Sequence, residues 1–197
     1  MFDSLVDLAT GSPWTYGVVL GFAALDAIAP VVPSETLVVA AAALAASGRL
    51  DLVVVVLAAA AGAFVGDNAM YLIGRAFAER ARRFASTRER AKERLDWAER
   101  QLDRRGGTVV IVSRFVPGGR TATMLAAGLV HMNWGRFVAF DLVAVSLWAL
   151  YAGLIGFFGG SAFQNEPLVG IGLALGLALV LGALLDAARR LVGRVRS

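Results

Sequence analysis

Four charged side chains stand in pairs where apolar sequence is broken by proline. Asp26 and Glu35 flank Pro30 and Pro33, and Arg114 and Arg120 flank Pro117 and the Gly118–Gly119 pair. An ionisable side chain at the centre of a bilayer costs about 2.5 to 3.5 kcal/mol on insertion scales, so such residues persist where they face protein or water and find partners. Acids at one break and bases at the other can compensate each other in a shared cavity, which neither pair could do alone. Paired interrupted segments at corresponding places in two halves of a chain also point to the substrate site in many secondary transporters. The chemistry indicated is passage along a polar path rather than bond cleavage. A catalytic alternative has little to work with: the chain has no cysteine and a single histidine, His131, and no serine–histidine pair at a workable spacing. The same absences exclude disulfide frameworks, iron–sulfur clusters and a histidine-built metal site.

The remaining charges in apolar sequence have plainer roles. Asp67, within Gly66-Asp67-Asn68, either pairs with Arg75 or lines the cavity. Arg75 reads as a positive-inside anchor, Asp141 as an interfacial residue, and His131 as a structural residue at a hairpin end.

The elements that must position these groups are membrane elements. The chain has 197 residues, 58% of them hydrophobic and 17% charged, with a mean hydropathy of +0.68, too apolar for a water-facing fold of this size. Its sequence pI near 10.3 does not indicate nucleic-acid binding, because the basic residues lie in blocks between apolar runs. Ten of the nineteen fall between Arg80 and Arg105, and Arg189, Arg190, Arg194 and Arg196 close the chain. Such blocks belong on the cytosolic side, where anionic headgroups attract them. The segment Met1 to Gly11 has two acids and no Lys or Arg, so it lacks the start of a secretory signal and is expected to be retained. Whether residues 2–17 lie on the membrane or cross it is left open by their charges.

One membrane domain over 1–197 fits this length. Repeat 1 covers about 14–78, a basic amphipathic linker 79–106, repeat 2 about 107–160, and a C-terminal helix 166–190. Each repeat begins with a broken apolar run (14–47; 107–130) and continues into a cleaner one (50–77; 137–160). A helix crossing the hydrocarbon core takes about 20 residues at roughly 1.5 Å each, so the clean runs and 168–185 are long enough to span. The pieces of the broken runs are roughly 10 to 17 residues long, the length of re-entrant half-helices. With the linker and the C-terminus in the cytosol, the two broken hairpins open to opposite sides. The expected fold is therefore all-α: a polytopic membrane protein of two inverted repeats, each a re-entrant broken-helix hairpin followed by a transmembrane helix, plus a C-terminal transmembrane helix. In the linker, Phe84, Ala91, Leu95, Ala98 and Leu102 form one apolar stripe, predicted to lie on the membrane surface or against the bundle. Glu79–Arg83 and Asp96–Arg100 are four-apart pairs worth a few tenths of a kcal/mol each. Gly62 with Gly66, and Gly156 with Gly160, are small-xxx-small pairs that let other backbones come close. Trp14 and Trp134 fall near expected interfaces.

These residues resemble the motifs of a known family. The stretch Asp26-Ala-Ile-Ala-Pro30-Val-Val-Pro33-Ser-Glu35 is similar to the acid, double-proline, acid signature of the DedA family of bacterial membrane proteins. Gly62-Ala-Phe-Val-Gly66-Asp67 with Tyr71, Gly74 and Arg75 resembles its next motif. Arg114-Phe-Val-Pro117-Gly-Gly-Arg120, followed by Ala127-Gly128, Met132, Phe137 and Trp148, resembles its third. The likeness covers roughly residues 20–160, with Asp26 standing where the family usually has glutamate.

The resemblance implies a proton-motive-force-dependent transporter of the bacterial inner membrane. Several relatives are implicated in returning undecaprenyl phosphate across the membrane for envelope synthesis. It places proton coupling on Asp26 and Glu35, joined here by Asp67, and phosphate binding on Arg114 and Arg120. Arginine suits phosphate because its planar fork donates paired, charge-assisted hydrogen bonds. The expected partners are membrane lipids, polyprenyl phosphate in particular, and protons, with a second copy of the chain also allowed. No nucleic acid, cofactor or metal is called for. The competing expectation is a proton-coupled transporter of a small soluble solute using the same cavity.

Overall fold

The structure is a computed structural model that describes residues 14–29, 34–114, 116 and 118–162. Pro30, Pro33, Pro117, most of the 2–17 segment and the expected C-terminal helix at 166–190 lie outside the described residues. The described residues form helices and no strand: α1 (Trp14–Ile28), α2 (Ser34–Ala46), α3 (Leu52–Ser86), α4 (Glu89–Ser113), α5 (Gly119–Leu129) and α6 (Trp134–Ala162).

Two of these are long enough and apolar enough to cross a membrane, α3 and α6. In their most apolar stretches only 33% and 39% of residues are buried, whereas a helix in the core of a water-soluble protein is mostly buried. Their outer faces carry Leu57, Val65, Leu72, Leu147 and Phe158, all exposed. The helix start of α3 is set by Asp51, whose carboxylate accepts hydrogen bonds from the backbone N–H of Val53 at 2.8 Å and Val54 at 3.1 Å. That side chain satisfies donors a helix start otherwise leaves orphaned.

The long helices pack antiparallel, with Asn68 of α3 against Asp141 and Trp134 near the start of α6, and Val56 of α3 against Gly153 of α6. Each then carries two short helical segments. Along α3, Leu20 and Ala24 of α1 pack on Gly62 and Gly66, and Leu125 and Gly128 of α5 pack on Gly74 and Tyr71. Along α6, the C-terminal end of α4 packs through Gly107 on Phe140, and α2 packs through Val39 and Ala43 on Gly156 and Gly160. Each short pair of one half thus divides itself between the two long helices.

The glycines are where these contacts are made. A Cβ built on Gly62 would collide with the Leu20 carbonyl, one on Gly128 with the Tyr71 carbonyl, and one on Gly160 would lie 2.7 Å from the Ala43 Cα. Both small-xxx-small pairs expected from the sequence therefore meet a helix backbone.

Two apolar clusters result. One, of Val19, Ala23, Val38, Ala42, Val55, Ala59, Ala63 and Trp148 with their neighbours, fills the space between α1, α2, α3 and α6. The other, built on Tyr71, Val110, Met124, Ala127 and Phe137, lies between α3, α4, α5 and α6, with the Tyr71 and Phe137 rings stacked at 4.6 Å.

The linker differs from its expected bounds. α3 continues without a break through Arg80 to Ser86, and the linker's second part is continuous with the following run in α4, kinked at Arg105 (φ −135°, ψ 23°). Arginine, alanine and glutamate are good helix formers, so nothing in 79–86 ends the helix that the apolar run begins. The stripe is used against the bundle: Leu95, Ala98 and Leu102 pack onto the second cluster. Phe84 is instead exposed, with the Arg88 guanidinium 4.3 Å above its ring. The four-apart pairs Glu79–Arg83 and Asp96–Arg100 are not closed; the ion pairs between described residues all lie inside the bundle.

Candidate functional site: a buried chain of acids and arginines

Asp67 sits at the middle of α3, on the face where the end of α1 meets the start of α5. Its carboxylate is fully buried and accepts from two guanidiniums, Arg114 Nη1 at 2.5 Å and Arg120 Nε at 2.6 Å. Neither arginine stops there. Arg120 Nη1 reaches Asp26 Oδ2 at 3.3 Å, and Arg114 Nη1 lies 3.9 Å from Asp141 Oδ1. The five side chains form one alternating line: Asp26, Arg120, Asp67, Arg114, Asp141.

Each member is held by its own helix end or face. Arg120 stands in the first turn of α5, which Gly118 opens in the left-handed conformation (φ +71°), a geometry that favours glycine. Asp26 stands in the last turn of α1, and Arg114 caps the C-terminus of α4. An arginine at a helix N-terminus and an aspartate at a C-terminus both oppose the helix dipole. Placed end to end they neutralise each other, and the Thr121 hydroxyl donates to the Ala27 carbonyl at 3.1 Å across the same junction. Ser34, the first residue of α2, donates to Asp26 Oδ2 at 2.7 Å.

The two arginines differ in their surroundings. Arg120 also donates to the Ala63 carbonyl at 3.4 Å and keeps 10% of its side chain exposed. Arg114 is 1% exposed, its guanidinium lies 5.0 Å from the Trp148 ring, and its Nε and Nη2 have no hydrogen-bond partner among the described residues. A cation over an indole face is stabilised by the ring quadrupole, but that contact does not satisfy N–H donors. Buried donors left unpaired are costly, so these two nitrogens are where a bound anion would find ready hydrogen bonds.

Of the residues singled out in the sequence, the structure brings Asp26, Asp67, Arg114 and Arg120 together. Glu35 does not join them: it is exposed in the first turn of α2 and makes no hydrogen bond or ion pair with the described residues. Asp67 pairs with Arg114 and Arg120 and not with Arg75, which donates to the Tyr71 hydroxyl at 3.1 Å; that hydroxyl in turn donates to the Met132 carbonyl at 2.5 Å. Asp141 is corrected: it is fully buried, not interfacial. Its position near the start of α6 suggested the membrane surface, but α3 and the end of α4 cover it there. The signal was its solitude in a clean apolar run and the Trp148 ring seven residues on, two turns along the same helix face. Asn68 was also passed over. Its Nδ2 donates to the Phe64 carbonyl at 2.9 Å and lies 3.4 Å from Asp141 Oδ2, while its Oδ1 accepts from Trp134 Nε1 at 3.1 Å.

A helical bundle with two apolar spans exposed on their outer faces and an ion network at its centre defines a class, the integral membrane proteins. Comparison with known proteins makes this specific. The family model for the VTT domain matches residues 32–158. "Protein DedA" of Escherichia coli K12 is 32% identical over 136 residues, 68% of this chain and 62% of that protein, so the chain spans about 62% of that relative's length. A membrane protein of Synechocystis is 31% identical over 171 residues, 85% of this chain and 76% of its own. "Inner membrane protein YohD" of Escherichia coli K12 is 30% identical over 141 residues, 71% of each chain. No solved structure matches. The chain belongs to the DedA family of VTT-domain membrane proteins.

Proposed function

We propose that this protein is a proton-motive-force-dependent transporter of the bacterial inner membrane whose cargo is a lipid phosphate, undecaprenyl phosphate in particular, returned across the membrane for envelope synthesis. The observation that carries the reading is the state of Arg114: a guanidinium 1% exposed, inside a membrane bundle, with two donor nitrogens that meet no acceptor among the described residues. A phosphate oxygen supplies the acceptors that those donors lack, and Arg120, on the other side of Asp67, supplies the second fork.

In this reading α1–α2 and the end of α4 with α5 are re-entrant hairpins entering from opposite sides. The two halves are inverted repeats, and the basic linker 79–106 and the C-terminus are cytosolic. The exchange of short helices between α3 and α6 supports that arrangement, because a two-fold axis relating the long helices would place α5 on α3 as it places α2 on α6. Protonation of Asp26 or Asp67 loosens the hold on Arg120 and Arg114 and lets the phosphate take over their hydrogen bonds, which couples the gradient to headgroup capture. Glu35, exposed beside the Ser34 that holds Asp26, is the outer proton-coupling carboxylate of the same hairpin. The work done is translocation, not turnover.

The test is transport in proteoliposomes carrying undecaprenyl phosphate under an imposed proton gradient. The wild type moves the lipid and Arg120→Ala does not. Full transport by Arg120→Ala would falsify the phosphate assignment, and a solute carrier would ignore the added lipid altogether.

A further inference from the structure

The ionic line has one acid more than it has bases. Among the described residues three carboxylates, Asp26, Asp67 and Asp141, alternate with two guanidiniums, Arg120 and Arg114. Arginine does not give up its proton in proteins, so with all three acids ionised the line carries one unbalanced negative charge inside an apolar bundle. One proton on one carboxylate restores neutrality.

The hydrogen bonds say where that proton sits. Asp67 is fully engaged by both arginines, and Asp26 accepts from Arg120 and Ser34. Asp141 is different: among the described residues Oδ2 accepts from Asn68 alone, at 3.4 Å, and Oδ1 is buried with no donor, 3.9 Å from the nearest guanidinium nitrogen. An ionised carboxylate in that position would be left with an unsatisfied charge, whereas a carboxylic acid would not.

We propose that Asp141 is a third proton-carrying carboxylate of this site, holding a proton at one end of the line while Asp26 is ionised at the other, and ionised when Asp26 takes one up. The groups facing it are Asp67 and Asn68 from α3, Arg114 from the end of α4 with Arg120 of α5 beyond, and the Trp148 ring on its own helix; the acid of α2, Glu35, is exposed elsewhere. With Asp141 protonated, Arg120 pairs with Asp26 and Arg114 with Asp67. With Asp26 protonated, each arginine moves its pairing by one carboxylate, Arg120 to Asp67 and Arg114 to Asp141.

Both states are neutral, and only two O–H bonds change. Asp141 gives its proton to water on its side, and Asp26 takes one from water on the other. Asp26 is 12% exposed at the junction of α1 and α2. Asp141 is fully enclosed, but Asn68 links it to the exposed ring of Trp134, one side chain from the surface. The inference deepens the transport reading and rests on it for what the proton drives; the charge count stands apart from it.

The test uses the full chain in phosphatidylcholine–phosphatidylglycerol vesicles and two readouts. Infrared absorption at neutral pH detects the C=O stretch of a protonated carboxyl. The wild type is expected to show it, Asp141→Asn to lose it, Asp141→Glu to keep it at a shifted frequency, and the surface variant Asp103→Asn to leave it unchanged. Undecaprenyl-phosphate-dependent proton entry, read with a trapped pH dye, is expected to fall about 100-fold in Asp141→Asn, the scale for losing a positioned proton-transfer group.

A band of undiminished size in Asp141→Asn, or no band in the wild type, overturns the proposal. A lost band with proton entry unchanged also overturns it, since Asp141 is then a neutral bystander. If the wild type moves no lipid phosphate while the infrared loss is intact, the transport reading falls and the protonated Asp141 is supported.

Discussion

At the Asp26 end of the ionic line the partners stand on helix termini. The last turn of α1 meets the first turns of α2 and α5 there, and both Asp26 and Arg120 keep about a tenth of their side chains exposed. At the Asp141 end the carboxylate stands inside a long helix, walled by α3, α4 and the Trp148 ring, with no exposure at all. The same two chemical groups are thus set in two solvents. Where helix ends meet, a small hinge movement can open the pair to water. Inside the long helices the guanidinium can change partner, and the route from the carboxylate to the surface runs by Asn68 and Trp134.

The hub between the ends gives the largest expected effect. Asp67→Ala leaves two buried guanidiniums facing each other, and breaking a buried pair costs about 3 to 5 kcal/mol, so the variant should unfold at markedly lower temperature in detergent or express poorly. A midpoint equal to the wild type's would remove Asp67 from the centre of the site. Next, Arg114→Gln should destabilise more than Arg120→Gln, because the first guanidinium is 1% exposed and the second 10%. Equal losses for the two in thermal unfolding would erase the difference between the ends.

Packing along α3 is tested by glycine. Gly62→Val drives a side chain into the Leu20 backbone and should cost about 1 to 3 kcal/mol. Gly17→Ala, with nothing within 4 Å of its would-be Cβ, should instead stabilise α1 by up to about 1 kcal/mol. A comparable loss for both would contradict the close approach of α1 to α3. The smallest stability effects belong to the open end: Asp26→Asn should lower stability by less than Asp67→Ala does, and Glu35→Gln, at an exposed carboxylate, should leave the unfolding midpoint where it was while slowing proton-driven transport. A large midpoint shift in Glu35→Gln would place that carboxylate in the buried network after all.

Much of this was legible in the residues themselves. A chain this apolar, with charges at interrupted places and basic blocks between runs, specifies a helical membrane protein, because burying backbone polar groups in lipid leaves helices as the economical solution for segments of this length. The placing of acids at one break and arginines at the other is likewise a property of sequence, and of the two acids Asp26 meets an arginine while Glu35 is exposed. The glycine pairs announced close helix contacts before any partner helix was known.

Tertiary structure decided which acid meets which arginine. Asp67 lies 47 residues from Arg114 and 53 from Arg120 along the chain, and nothing local distinguishes it from a residue that reaches toward Arg75 about two helix turns away. Asp141 shows the same limit from the other side: depth along a helix is readable from an apolar run, but enclosure depends on what packs against that run. Periodicity says which face of a helix is apolar. Only the meeting of α1 with α5 on α3, and of α4 with α2 on α6, turns separate charged residues into one line, because the distances that make an ion pair are set by backbones that the sequence leaves far apart.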